Sequence, residues 1–390
     1  MHVVVLPSWY PKSEQDVDGI FFRIQAQGLQ KSSKIKKVSV VAPMFRHLRA
    51  QPKTLLGGPY GLRKYQENQI DIYAYDGMYL FPRSPFIDLN RVLWVRAGMK
   101  AFEAYIKENG KPDLIHAHVV NYAGILACKI FKKYGIPYII TEHSSTYARD
   151  LIRDDQWPAM REAAKHASGL YAVSRDFADL LNQKYPGTHW SYLPNILGKN
   201  FTEPFEFPEK SGDDFTFCSV SHLRHLKGHD LLLPAFAKAL QKYPGLKLNI
   251  GGAGPEGENL KNLAKQLGII DSVSFLGALK TDEVLNLMRQ SDAFVLASRT
   301  ETFGVVYIEA LSQGLPVIAT KCGGPQSIVR PENGFLIPTE NIDALADALI
   351  QMYEQRDRFL PQKLRQDCLA EFSEEAVINR LISKFEEILA

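Results

Sequence analysis

Glu301, Gly304 and Glu309 form the part of this chain whose residue types and spacing are best suited to chemistry. They lie in SRTETFGVVYIEALSQGLPVIATKCGG (298–324). This segment reads as a strand ending at Ala297, a polar loop through Phe303, a helix from about Val305 to Gln313, and another strand. Gly304 at the helix entrance lets an anion approach the backbone, where the free N–H groups and the positive end of the helix dipole favour a diphosphate. Glu301 stands in the loop, where it could accept hydrogen bonds from sugar hydroxyls. Glu309, little more than one turn into the helix, could hold the two hydroxyls of a ribose. A lone helix glutamate more often faces solvent, and two glutamates at this spacing are common. Only the frame of strand, TETFG, helix, GLPVIAT and strand makes the pair specific.

These residues need rigid elements behind them, and the rest of the chain supplies the pattern. Short apolar runs without polar alternation, namely 2–6, 38–43, 70–75, 113–118, 138–143 and 169–174, alternate with amphipathic stretches such as 20–30 and 91–110. Such runs, separated by helices, predict a parallel sheet covered on both faces. The pattern restarts at 215–221 and continues through 246–252, 272–277, 292–298, 316–320 and 335–338. Between the two sets lies a Pro-, Gly- and charge-rich stretch without periodicity, the best linker in the chain. The expected fold class is therefore α/β, with two tandem Rossmann-like, doubly wound domains and an interdomain cleft. The expected bounds are 1–197 for the first domain, 198–213 for the linker and 214–372 for the second, with a last helix (about 373–390) able to pack back on the first. In such sheets ligands sit beyond the carboxyl ends of the strands.

The composition excludes several classes. Four scattered cysteines with no CxxC pair argue against a zinc ribbon or a disulfide framework and for a reducing compartment. No HExxH occurs among the ten histidines, so no metal site is expected. No apolar run approaches the length of a membrane span, and the first residues do not read as a signal peptide. Residues 1–195 carry 26 Lys and Arg against 17 Asp and Glu, and the remainder 20 against 26. A basic half can meet an anionic partner, or simply carry solvated lysines. Gly252-Ala253-Gly254-Pro255-Glu256-Gly257 fits a dinucleotide fingerprint. Its place in the second half and its internal proline favour instead a tight turn lining a binding pocket.

The segment 298–324 resembles the Glu-x7-Glu signature of retaining GT-B glycosyltransferases, specifically glycosyltransferase family 4. The likeness runs along nearly the whole chain. It includes LPSWYPKSEQDVDGIFFRIQAQGL at the start, DLIHAH, ITEHSS, YAVS and LPNI in the first half, then SHLRHLKGHDLLLPAFA and LNIGGAGPEGENL. The resemblance implies that Lys227 binds the donor phosphates, where an ammonium beside Gly228 would stabilise a leaving diphosphate. It assigns Gly19 to the glycine loop after the first strand and His143 to the donor sugar near the reacting centre. The family commonly has arginine where this chain has His222, and Arg224 lies two residues on. A neutral histidine stabilises charge less than a guanidinium does, and the sequence leaves open which of the two meets the phosphates. The donor-binding set is thus Gly19, His222, Arg224, Lys227, Gly252, Gly254, Phe303, Gly304, Val305 and Glu309. Glu301, His143 and Lys227 are expected to act at the reacting centre. His116 and His118 read mainly as structural, with an acceptor-side role open for His118.

By the same resemblance, the expected activity is transfer of a hexosyl or N-acetylhexosaminyl group with retention from a nucleotide-sugar donor, UDP by default and GDP second. No metal or other cofactor is expected. The opening motif is most similar to family members that build surface polysaccharides and glycolipids of the bacterial type. That implies a glycan or lipid-linked acceptor, no nucleic-acid partner, and a cytoplasmic protein peripheral on the inner membrane face. Arg91, Arg96, Lys100 and Lys107 are the candidates to touch an anionic lipid surface. An epimerase or phosphorylase of the same architecture, or a non-catalytic nucleotide-sugar-binding protein, are the alternatives.

Overall fold

The computed structural model describes residues 1–11, 19–47, 60–79, 87–207 and 215–390. Residues 12–18 of the opening motif and 208–213 of the expected linker lie outside them. The chain divides into two compact units. The first comprises Met1–Val173, Ala178–Ile196 and Val377–Ala390, and the second Ser174–Phe177 and Leu197–Ala376.

The first unit holds an eight-stranded sheet in the order β3-β4-β2-β1-β5-β6-β7-β8. Its strands are β1 (His2–Pro7), β2 (Lys37–His47), β3 (Gly61–Glu67) and β4 (Ile70–Tyr79), then β5 (Leu114–His118), β6 (Tyr138–Glu142), β7 (Gly169–Ala172) and β8 (Trp190–Tyr192). All pairings are parallel except β3 with β4. Two strands were not expected from the sequence. In β3 every second residue is exposed, so it lacks the apolar run of a buried strand. The hairpin joining it to β4 turns through Asn68 (φ 46°) and Gln69 (φ 65°), the left-handed pair of a two-residue hairpin turn. The other, β8, has only three residues.

Val3, Val5, Val38, Val40 and Ile72 pack one face of this sheet. The helix Glu374–Leu389 joins them through Val377, Ile378, Leu381, Ile382 and Phe385, an apolar stripe at helical spacing. The second unit holds six parallel strands in the order β11-β10-β9-β12-β13-β14. They are β9 (Phe215–Val220), β10 (Leu246–Gly251), β11 (Val273–Gly277), β12 (Ala293–Leu296), β13 (Val317–Thr320) and β14 (Gly334–Ile337). This is the strand order of a dinucleotide-fold sheet, and it reverses between β9 and β12. Among the described residues no helix is long and apolar enough to cross a membrane.

Candidate functional site

In the second unit the loops leaving β9 and β12 meet at the switch point of the sheet. After β9 the chain passes Ser221 to Leu226, makes a 3-10 turn over His225–Lys227, and enters the helix His229–Lys242 through Gly228. Gly228 has φ 70°, and a Cβ there would stand 1.9 Å from the Ala297 carbonyl oxygen at the end of β12. Glycine at this position lets the two loops touch backbone to backbone. Lys227 Nζ consequently reaches Glu301 Oε1 at 2.5 Å, and Ser298 Oγ donates to the same oxygen at 2.9 Å. The lysine side chain is 27% exposed and the glutamate 13%, so both are partly desolvated yet open to a ligand.

Arg299, which the sequence reading did not single out, fixes this junction. Its guanidinium forks onto Asp230 (2.8 and 2.8 Å), contacts Glu340 at 2.5 Å, and donates to the His225 carbonyl. Its backbone N–H donates to Leu226 O at 2.8 Å. Asp230, with Glu340 behind it, holds the guanidinium pKa above its usual value. An arginine two residues before Glu301 and an aspartate three after Lys227 were the available signal. Charged residues in loops are too common to be read alone.

Glu301 is also tied on its other side, pairing with Gly323 as a one-residue bridge while Gly324 N–H donates to its carbonyl at 2.8 Å. Gly304 (φ 89°) then opens the helix Val305–Ser312, whose first turn has neither a side-chain cap nor an acidic residue. That leaves an uncompensated helix N-terminus beside Glu301. Phe303, one of the expected donor-binding residues, is buried, with its ring T-shaped on Phe372 at 6.0 Å.

Glu309 is half-buried, and among the described residues no donor meets its carboxylate. Burial alone pushes its carboxyl up to about 7. The turn Gly251–Glu256 is stitched to Ser221–Leu223 by Leu223 N–H to Ala253 O (3.0 Å) and Glu256 N–H to Leu223 O (3.1 Å). His222 is exposed, and its Nδ1 lies 2.6 Å from where a Gly254 Cβ would be, so His222, Gly252 and Gly254 come together. Arg224 is also exposed.

In the first unit, Gly19 (φ 81°) starts the helix Ile20–Lys31 against Trp9. Parallel register places His116 and His118 on one face of β5, with ring centroids 4.2 Å apart. His118 Nδ1 lies 3.1 Å from His143 Nε2, and the Phe22 ring packs on both. Burial lowers His116 and His143 to about 3 and His118 well below its ordinary value, so all three imidazoles are neutral at pH 7. Glu142, just before His143, is buried. It accepts from the N–H groups of Val120, His143 and Ser144 and from the Tyr147 hydroxyl, while burial raises its carboxyl to about 7. It ties the loop after β5 to the loop after β6.

Two family models follow one another along the chain. Glycosyltransferase Family 4 matches residues 37–196 and Glycosyl transferases group 1 matches residues 200–370. The chain belongs to the group 1 glycosyltransferases of family 4, and its fold class is GT-B. An uncharacterized glycosyltransferase of Haemophilus influenzae is 37% identical over 176 residues, 45% of this chain and 48% of that protein. The GDP-mannose-dependent alpha-(1-6)-phosphatidylinositol monomannoside mannosyltransferase of Mycobacterium tuberculosis is 34% identical over 155 residues, 38% of this chain and 40% of that protein. The chain therefore spans about half or less of the length of these relatives. The structure of Anabaena HepE in complex with UDP superposes with a TM-score of 0.70 at 18% identity, covering 99% of this chain and 100% of that one.

Proposed function

We propose that the protein transfers a sugar, with retention, from a nucleotide-sugar donor to a glycan or lipid-linked acceptor in the synthesis of a surface polysaccharide or glycolipid. The observation that carries this is the junction at the β9/β12 switch point. There an ammonium (Lys227), a carboxylate (Glu301) and an uncapped helix N-terminus (Gly304, Val305) converge. Lys227 and the helix end suit a diphosphate, Glu301 suits the hydroxyls of the transferred sugar, and Glu309 suits a ribose. The exposed His222 and Arg224 both remain available to the phosphates.

In this reading the bond from the anomeric carbon to the diphosphate oxygen breaks as the acceptor oxygen bonds to the same face of that carbon. The acceptor proton passes to the leaving phosphate. Glu301 positions the sugar and forms no covalent bond to it. His143, neutral in its buried setting, is assigned to donor hydroxyls. UDP is the first base to test, as the family's commonest. GDP is the second, since the mycobacterial relative is named for GDP-mannose.

We also place the acceptor's carrier at an anionic membrane face. Arg96, Lys100 and Lys107 are exposed on one side of the helix Ile87–Asn109, which suits such a surface. Arg91 is buried, and this removes it from the expected set. The test is incubation with UDP- and GDP-sugars and extracted lipid-linked acceptors, followed by NMR of the product linkage. Nucleoside diphosphate release with an α-linked product from an α-linked donor is expected. An inverted product, or a glycosyl adduct isolated on Glu301, would defeat the mechanism. Flotation with liposomes that is indifferent to anionic lipid would remove the membrane assignment alone.

A further inference from the structure

Lys227 and Glu301 hold one another. The lysine Nζ lies 2.5 Å from Glu301 Oε1, the oxygen that also accepts from Ser298 Oγ at 2.9 Å. Among the described residues no other cation pairs with this carboxylate, and Arg299, two residues away, is committed to Asp230 and Glu340. The reading above gives Lys227 to the donor diphosphate and Glu301 to the sugar hydroxyls. Without a ligand, each satisfies the other.

The two partners differ in freedom. Glu301 is fixed in its loop from both sides, by its bridge to Gly323, by the Gly324 N–H on its carbonyl and by Ser298 on its side chain. Lys227 closes the 3-10 turn His225–Lys227, where its N–H donates to Arg224 O at 2.8 Å. Beyond that backbone anchor it has a flexible four-carbon stem. The lysine side chain is also the more exposed of the two, 27% against 13%. When the pair opens, Lys227 is therefore the group that moves.

The cost of opening depends on what enters. A mostly buried carboxylate that loses its cation keeps only the Ser298 hydroxyl, and an uncompensated charge in such a setting is costly. A bare nucleoside diphosphate takes Lys227 and gives Glu301 nothing in return. A nucleotide sugar takes Lys227 and offers hydroxyls to Glu301, and hydrogen bonds to a charged acceptor offset the loss. We infer that the Lys227–Glu301 pair is a latch by which the site discriminates against a nucleoside diphosphate that carries no sugar. Glu301 thereby sets specificity as well as placing the sugar, and it does so through Lys227. Once the sugar has passed to the acceptor, the pair re-forms and draws Lys227 off the departing diphosphate, so the same contact speeds product release. The inference rests on the transfer reading above and adds to it a preference for donor over product.

The experiment titrates the full chain calorimetrically with UDP, GDP, UDP-glucose and GDP-mannose, in wild type, Glu301→Gln, Lys227→Met and the double variant. Glu301→Gln keeps the side-chain shape and loosens the hold on Lys227. It should bind the nucleoside diphosphate that the wild type takes about tenfold more tightly, and lose about tenfold or more of the wild type's preference for the corresponding nucleotide sugar. Removing a negative charge near an anion site raises affinity by itself, and the Lys227→Met background measures that part. There Glu301→Gln should bring a gain of about twofold or less. Glu301→Asp, which keeps the charge but falls short of Lys227, should tighten UDP or GDP binding in the same direction and stands in if the glutamine variant does not fold. Unchanged or weaker nucleoside diphosphate binding in Glu301→Gln, or an equal gain with and without Lys227, would overturn the inference while leaving the transfer reading intact. A wild type that binds none of the four ligands would remove the transfer reading, and the latch with it.

Discussion

Glu309 offers a test in which stability and binding should move in opposite directions. Its carboxyl, met by no donor among the described residues, is raised by burial from 4.5 to about 7. A carboxyl whose folded pKa lies above its unfolded value binds more protons folded than unfolded between those two pH values. Stability is therefore lost as pH rises from 4.5 through 7, then levels off. Moving a carboxyl over that range corresponds to about 3 kcal/mol, or roughly 2 kcal/mol with partial solvent access. Glu309→Gln keeps the shape and removes the charge. At pH 5 the variant should differ little from wild type, and at pH 8 it should be the more stable by about 2 to 3 kcal/mol. For a unit of this size that is roughly 4–10 °C in the melting transition, measured by scanning calorimetry at both pH values. Glu142 is raised to a similar value but is present in both proteins, so it cancels. The same substitution should weaken binding of UDP-glucose or GDP-mannose, whichever the protein takes, by roughly 10- to 100-fold, the worth of charge-assisted bonds to ribose. Equal pH dependence in the two proteins, or unchanged nucleotide-sugar affinity in the variant, would refute the reasoning.

Other consequences follow from the junction at β9 and β12. Lys227→Ala should lower nucleotide-sugar affinity by about 10- to 100-fold, read by calorimetric titration, because one charge-assisted contact to the diphosphate is lost. Gly228→Ala should cost about 3 kcal/mol or more, since it combines a left-handed φ with a Cβ 1.9 Å from a carbonyl oxygen that no rotamer change can relieve. Its melting temperature should fall by several degrees; a shift below one degree would contradict the described loop contact. Arg299→Lys retains the charge but cannot fork onto Asp230, so a loss of about 1 to 2 kcal/mol is expected, with weaker donor binding at an unchanged base preference.

Much of the second unit was legible in the residues. The strands of its sheet announced themselves as apolar runs, and the TETFG loop and its helix fall within a residue of where the pattern put them. What local pattern could not carry is which loop residues meet. The Lys227–Glu301 contact joins positions 74 apart in the chain, and Arg299 reads as any surface arginine until Asp230 and Glu340 are beside it. The side Phe303 faces is hidden for a related reason: a phenylalanine in a polar loop could face a ligand or the core, and here its ring packs on Phe372. In the first unit, β3 escaped notice because an edge strand with one wet face shows alternation in place of an apolar run.

The central claim, a nucleotide-sugar site built from Lys227, Glu301 and Glu309, is tested most directly by a thermal-shift screen against UDP-sugars, GDP-sugars and NAD, with wild type and a Lys227→Ala, Glu309→Ala variant in parallel. A ligand that binds the native state raises the melting temperature in proportion to the logarithm of its concentration over Kd. The account predicts a concentration-dependent rise with a UDP- or GDP-sugar, none with NAD, and no rise with any of them in the folded double variant. An equal rise in the double variant, or a response to NAD alone, would contradict it.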